Sequence, residues 1–291
     1  MALVTVSVDG HSASVAVQPS SKTLIGVNAE WFMGTPSNTV SKAQVDATLP
    51  AVIRDPHLVQ AAWDYCASKG IKVLPNILSA SMPPSWIFTH PAYVGVCEIG
   101  NEPFWAAGGT ISAATWINQF GPLLDQLEAK NIAYTVPLDD WPTAHDNSPG
   151  AAGWQDQLFA ARPSLKTKAH GFAVHPYGDS GPSQAQSHLD NVISCLKARG
   201  IANPLIYATE WGWSRTGTNA VSEATQATYA QSFLSTAAPK CVLMTWFQIN
   251  DENKSAGRDS GFGLYKQNTD GNWSAWTAVA VQSVIQKAAK A

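Results

Sequence analysis

Hydrophobic and polar residues alternate at the start of the chain: Val4, Val6 and Val8, then Asp9-Gly10, then Ala13, Val15 and Val17. Period-two alternation marks a half-buried strand, and Asp-Gly between two such runs suits a two-residue hairpin turn. That turn sets Val4 opposite Val15 and Val6 opposite Ala13, so one face carries the apolar side chains. The pattern predicts an N-terminal hairpin over residues 1–20, packed against the main body.

Beyond the hairpin, short apolar runs begin near Leu24, Ala51, Lys72, Val94, Ala133, Gly171, Leu205 and Val242. Helical patterns fit between or after them at 57–69, 113–130, 183–199, 223–238 and 274–290. Strands alternating with helices build parallel βα units, and eight of them make a (β/α)8 TIM barrel. The first half is cramped, with strand intervals of 27, 21 and 22 residues against 34–39 later. Pro50 precedes the weak second run, and Pro83, Pro84 and Pro91 oppose a full third helix. The expectation is short first strands, a third helix reduced to a turn or absent, and a shallow mouth past Trp31 and Trp86. No linker or break in composition divides the chain, so residues 1–291 read as a single domain.

Composition narrows the function. Charged residues make up 13 %, about half the usual ~25 %, and the net charge is −3. That balance gives no footprint for nucleic acid or an acidic membrane surface. No apolar run reaches the ~18 residues of a membrane span. A monomer is expected. Trp is abundant, 12 against 9 Phe and 7 Tyr, and a surface that stacks on sugar rings accounts for the excess better than core packing. The four cysteines, Cys66, Cys97, Cys195 and Cys241, form no C-x-x-C pair and read equally as two disulfides or four buried thiols.

Two carboxylates stand where apolar runs stop. The fourth run ends Cys97-Glu98-Ile99-Gly100-Asn101-Glu102-Pro103, and the seventh ends Thr209-Glu210-Trp211. Strand C-termini carry the active site of such barrels. Glu102 and Glu210 are 108 residues apart, which puts them on strands four and seven with a cleft between. Paired carboxylates across a cleft suit glycoside hydrolysis, one giving a proton to the leaving oxygen while the other attacks or activates water.

Asn101-Glu102-Pro103 after strand four and Glu210 on strand seven resemble the retaining glycoside hydrolases of clan A. The cellulase-like members are similar further: Glu98 four residues before Glu102, His175-Pro176-Tyr177 after strand six, and Trp246 ending strand eight. The resemblance implies Glu102 as acid/base and Glu210 as nucleophile. It also implies Asn101 on the sugar 2-hydroxyl, Tyr177 on Glu210, His175 in the same site, and Trp246 as the floor under the reacting sugar. Arg54 is the candidate for the arginine that such enzymes hold against the nucleophile, and Asn76 stands where a histidine is common.

Trp31, Trp86, Trp105, Trp141, Trp211 and Trp213 follow runs, in the loops that line the mouth, and each reads equally as sugar stacking or as packing, with Trp31, Trp86 and Trp211 taken as the substrate-binding candidates. Trp63, Trp116, Trp273 and Trp276 read as packing, and His57, His170 and His188 as structural. Asp139, Asp140, Asn250, Asp251 and Glu252 read as solvated loop groups. No glycine-rich phosphate loop or metal motif appears, so no cofactor and no metal are implied. The expected activity is retaining, endo-acting hydrolysis of a β-linked polysaccharide. An exo-β-glycosidase such as a xylosidase, or an inactive carbohydrate-binding barrel, are the other readings. The start Met-Ala-Leu-Val shows no leader pattern, and the expectation is an extracellular protein without its signal peptide, or else a cytoplasmic one.

Overall fold

The computed structural model describes residues 2–8, 11–17, 22–29, 42–57, 59–103, 111–138, 153–251, 258–267 and 276–291. Strands β1 (Ala2–Val8) and β2 (His11–Val17) pair antiparallel with Val4 opposite Val15 and Val6 opposite Ala13, the register that the Asp-Gly turn predicts. The main body runs β3 (Leu24–Asn28), α1 (Lys42–Thr48), β4 (Val52–Asp55), α2 (Gln60–Ser68), β5 (Lys72–Ile77), α3 (Trp86–Thr89) and β6 (Cys97–Ile99). It continues with α4 (Ala113–Ala129), β7 (Tyr134–Pro137), α5 (Trp154–Ala161), α6 (Leu165–Lys168), β8 (Gly171–Val174), α7 (Pro182–Ala198), β9 (Ile206–Trp211), α8 (Glu223–Ala237) and β10 (Leu243–Trp246). A small pair, β11 (Tyr265–Gln267) with β12 (Trp276–Ala278), precedes α9 (Ala280–Lys290).

Strands β3 to β10 close into one parallel barrel, with β10 pairing back onto β3. The fold is a (β/α)8 TIM barrel. As expected, α3 is a single turn of four residues in the proline-rich stretch. The C-terminal helix starts later than its apolar pattern suggests, because Trp276 belongs to β12. Helices α1 and α5 went unread: at 7 and 8 residues they are too short to show a helical period. Ser112 and Ser222 cap α4 and α8 through bonds from Thr115 N and Thr225 N, both 3.1 Å, which explains why those two starts were legible. All four cysteines are free and buried, which settles the thiol alternative.

The interior is layered by period two. Val52, Leu74, Val96, Tyr207 and Leu243 form a small apolar cluster of their own inside the barrel. Two residues further along the same chain segments lie Arg54, Asn76, Glu98, Thr209 and Thr245, all buried. Alternate residues of a strand share a face, so an apolar floor supports a polar layer above it. Asn28 of β3 and His175 after β8 join that layer. Gly26 has no room for a side chain, since a Cβ there would lie 1.8 Å from the Val52 carbonyl oxygen.

One irregularity aims the nucleophile candidate. Met244 pairs with Ala208 but Trp246 pairs with Trp211, so β9 carries an extra residue. Such a bulge redirects side chains. Thr209 and the next residue, Glu210, both reach the buried polar layer, while Trp211 turns onto Phe233 of α8 with ring centroids 5.4 Å apart.

Candidate active site

Arg54 is the hub of the polar layer. Its Nε donates to Glu98 Oε2, and its Nη2 donates to Glu98 Oε1 at 3.2 Å and to Asn101 Oδ1 at 2.7 Å. Its Nη1 donates to Glu210 Oε1 at 2.7 Å and to Asn28 Oδ1 at 2.9 Å. Asn28 in turn gives its Nδ2 hydrogen to the Thr209 carbonyl at 2.9 Å. Glu210 receives a second hydrogen bond, from Tyr177 Oη at 2.9 Å to Oε2. The weak second run of the sequence therefore carries the central cation, and the arginine candidate meets the nucleophile candidate as the resemblance implies.

Glu102 lies opposite, with its side chain 30 % exposed, where a substrate can reach it. Its backbone has φ 36°, the left-handed region that non-glycine residues seldom adopt. Gly100, at φ 77°, begins the turn that brings Glu102 round. Such strain gathers at functional sites. His175 Nδ1 lies 2.6 Å from Glu102 Oε1 and its Nε2 lies 3.2 Å from Thr209 Oγ1. Ligand atoms of Glu102, His175 and Glu210 all fall within 4.8 Å of one another. That group is compact enough to hold a cation. Its hydrogen-bond partners (Arg54, Tyr177 and the imidazole itself) already account for the convergence.

The charges are tightly linked. Burial alone would disfavour ionised Glu98, but the Arg54 guanidinium and the His175 contact bring its pKa down to about 2. Burial works against a charged His175, yet the carboxylates of Glu210 and Glu102 hold its pKa up at about 10. Burial pushes Glu210 upward and Glu102 adds to that push, while His175, Arg54 and the Tyr177 hydroxyl pull the other way. Perturbed titration of this kind, in a cleft at strand ends, is what catalytic carboxylates need.

The expectations for Trp246, Trp211 and Trp213 as sugar-stacking residues need correction. Trp246 is fully buried, with its ring 5.0 Å from Trp211 and its Nε1 donating to the Phe262 carbonyl at 2.8 Å, so it presents no face to a sugar. The reason is alternation: Thr245 takes the inward position on β10, where it bonds Asn28, and Trp246 takes the outward one. Trp211 is likewise fully buried and Trp213 nearly so, its Nε1 on the Gly178 carbonyl. Trp86 stacks edge-on against Trp63 of α2, 5.3 Å away, and against His90, 5.7 Å away. Trp31, Trp105, Trp141, Asp139, Asp140 and Glu252 lie outside the described residues. Asp251 is no solvated acid: it accepts from Arg215 Nη2 at 2.7 and 2.8 Å and ties two loops together. Asn250 is buried against Gln44.

Four groups went unread in the sequence. Asn28, Thr209 and Thr245 each sit two residues beyond an interior position, so counting by two from Gly26, Tyr207 and Leu243 would have found them. The fourth is Phe247, half-buried with its ring 6.4 Å from Tyr177 and 5.6 Å from Phe262, an aromatic side chain packed beside the tyrosine that bonds Glu210.

Fold and site thus define a (β/α)8 barrel with two carboxylates closely opposed at its mouth. No protein-family model matches the sequence, and no curated protein matches it. Solved structures do match. The chain is similar to a glycoside hydrolase family 128 endo-β-1,3-glucanase from Amycolatopsis mediterranei, crystallised with laminaritriose and laminaribiose (17 % identity, TM-score 0.61, 91 % of this chain and 99 % of that one). It is also similar to a β-1,3-glucanase and allergen of Cryptomeria japonica pollen (17 %, TM-score 0.62, 84 % and 95 %). A third is the family 17 β-1,3-glucanosyltransferase from Rhizomucor miehei (14 %, TM-score 0.58, 86 % and 94 %).

Proposed function

We propose that this protein is a retaining β-glycoside hydrolase that cleaves β-1,3-linked glucan internally. The observation that carries the reading is the approach of the Glu102 and Glu210 carboxylates to within 4.8 Å. Retaining enzymes hold their carboxyl groups ~5–5.5 Å apart, whereas inverting ones need ~6.5–9.5 Å to admit a water. Glu210, held by Arg54 and Tyr177, attacks the anomeric carbon. Glu102, the more exposed of the two, protonates the leaving oxygen and later takes a proton from the incoming water. The complete hydrogen-bond framework around Arg54 favours this over an inactive binding barrel. The β-1,3 linkage is taken from the similar structures, and the single-turn α3 supports an open cleft and endo action. The reading of a polymeric substrate goes with action outside the cell.

The test is digestion of β-1,3-glucan, mixed-linkage glucan, mannan and xylan, followed by reducing ends and product sizes over time. Oligomers of mixed length from β-1,3-glucan, released first as the β anomer, are expected. Single sugars from chain ends would favour the exo reading, and no new reducing ends the binding reading. Phe247→Ala should raise KM on glucan about tenfold or more, because an aromatic side chain buried on binding is worth ~1.5–3 kcal/mol. An unchanged KM would remove Phe247 from the sugar platform.

A further inference from the structure

We infer that Thr209 is a positioning residue that keeps a hydrogen on His175 Nε2, so that the ring and Glu102 share one working proton on the Nδ1 side. This rests on the acid/base role proposed for Glu102.

The argument is a count of hydrogens. Glu98 takes two hydrogen bonds from Arg54 and, being ionised, can only accept. The single hydrogen of the Thr209 hydroxyl goes to Glu98 Oε1 at 2.8 Å. Toward His175 Nε2, 3.2 Å away, that same oxygen can therefore only accept. Nε2 must carry a hydrogen. The placement of Thr209 does not depend on its hydroxyl, because its carbonyl is held by Asn28 Nδ2 and Thr245 Oγ1.

With Nε2–H committed, only the other side of the ring titrates. One proton lies between Nδ1 and Glu102 Oε1, 2.6 Å apart, drawn either on the acid or on the imidazolium. Losing it would leave a bare Nδ1 lone pair facing a carboxylate, and the ring could not relieve this without emptying the bond to Thr209. The pair should thus hold its proton to higher pH. The charged groups around the ring are Glu98 at 3.8 Å, Glu210 at 3.6 Å and Glu102, all favouring the proton, with Arg54 opposing across Glu98 and Glu210. Tyr177 Oη is a neutral donor to Glu210. In the first half-reaction the proton passes from Glu102 to the glycosidic oxygen as the C–O bond breaks and Glu210 bonds the anomeric carbon. In the second, Glu102 takes a proton from water as the water oxygen replaces Glu210, and the shared proton is restored.

The test compares pH profiles of kcat/KM for wild type, Thr209→Val and Thr209→Ser, with ring 15N NMR of His175. Without the hydroxyl, Nε2 loses its acceptor at 3.2 Å, and the neutral ring can move its hydrogen to Nδ1 to face Glu102 at 2.6 Å, opposed by the more distant Glu98 carboxylate at 3.8 Å. The alkaline limb of Thr209→Val on glucan should then fall by about one pH unit, the size of one hydrogen bond in these terms. An aryl glycoside with a good leaving group, which needs no proton, should lose far less. Thr209→Ser should keep the wild-type limb. The wild-type spectrum should show hydrogen on Nε2 throughout the active range. A wild-type ring with hydrogen on Nδ1 alone would overturn the inference even if Thr209→Val did not fold. So would an unshifted limb in a folded Thr209→Val. If no glucan is cleaved, the acid/base reading fails instead, and the NMR result still decides where the hydrogen lies.

Discussion

Glu210→Ala and Glu102→Ala should each abolish most turnover on glucan while the barrel stays folded, and small anions should rescue them with opposite stereochemistry. Loss of general acid/base catalysis by Glu102 is worth about 10²–10⁴-fold, and loss of the nucleophile should cost at least as much. The fold should survive at position 210, because Arg54 retains Glu98, Asn28 and Asn101 as partners. With Glu210 gone, azide can occupy the space beside Arg54 and attack the sugar directly, inverting it to the α-glycosyl azide. With Glu102 gone, a substrate with a good leaving group still forms the glycosyl-enzyme. Azide then attacks that intermediate, giving the β product after two inversions. The product anomers are read by proton NMR. The same anomer from both variants would refute the division of roles, and wild-type rates in either would refute the site.

The strands were legible because each opens with an apolar run that fills the barrel floor, and the hairpin because its turn and alternation agree. The carboxylates were legible because strand ends in such a barrel converge. Arg54 was legible only through the family resemblance, because it sits in a run of four residues after Pro50, too short to look secure, yet its neighbours on both sides complete the sheet around it. What escaped has physical causes. Trp211 and Trp246 stand at strand ends, where a mouth position is plausible. Only the bulge opposite Thr245 and the inward turn of Thr245 itself show that both rings pack outward, against each other. Phe247 was overlooked as the residue beyond a more conspicuous Trp.

Arg54→Met should destabilise the protein severely, and the size of the loss should grow with pH. Removing one partner from a buried ion pair costs about 3–5 kcal/mol, because the remaining charge is left without compensation. Here two carboxylates, Glu98 and Glu210, lose the same cation at once, leaving His175 as their positive neighbour among the described residues. The sign follows from linkage. In the wild type Glu98 has its pKa lowered from 4.5 to about 2, so its contribution is fully present above the unfolded value and is lost as pH falls toward 2. In Arg54→Met burial dominates instead and raises the folded pKa of Glu98, so the neutral acid is the tolerated form. Stability is then retained below the unfolded value and lost as pH rises through the folded one. Urea unfolding at pH 4 and pH 8 should accordingly give a narrow gap between wild type and variant in acid and a wide one in base. The variant should also be inactive, since a nucleophile deprived of Arg54 is driven toward its protonated form. A gap of equal size at both pH values would mean that Arg54 supports the barrel by packing alone, and not as the counter-charge of its carboxylates.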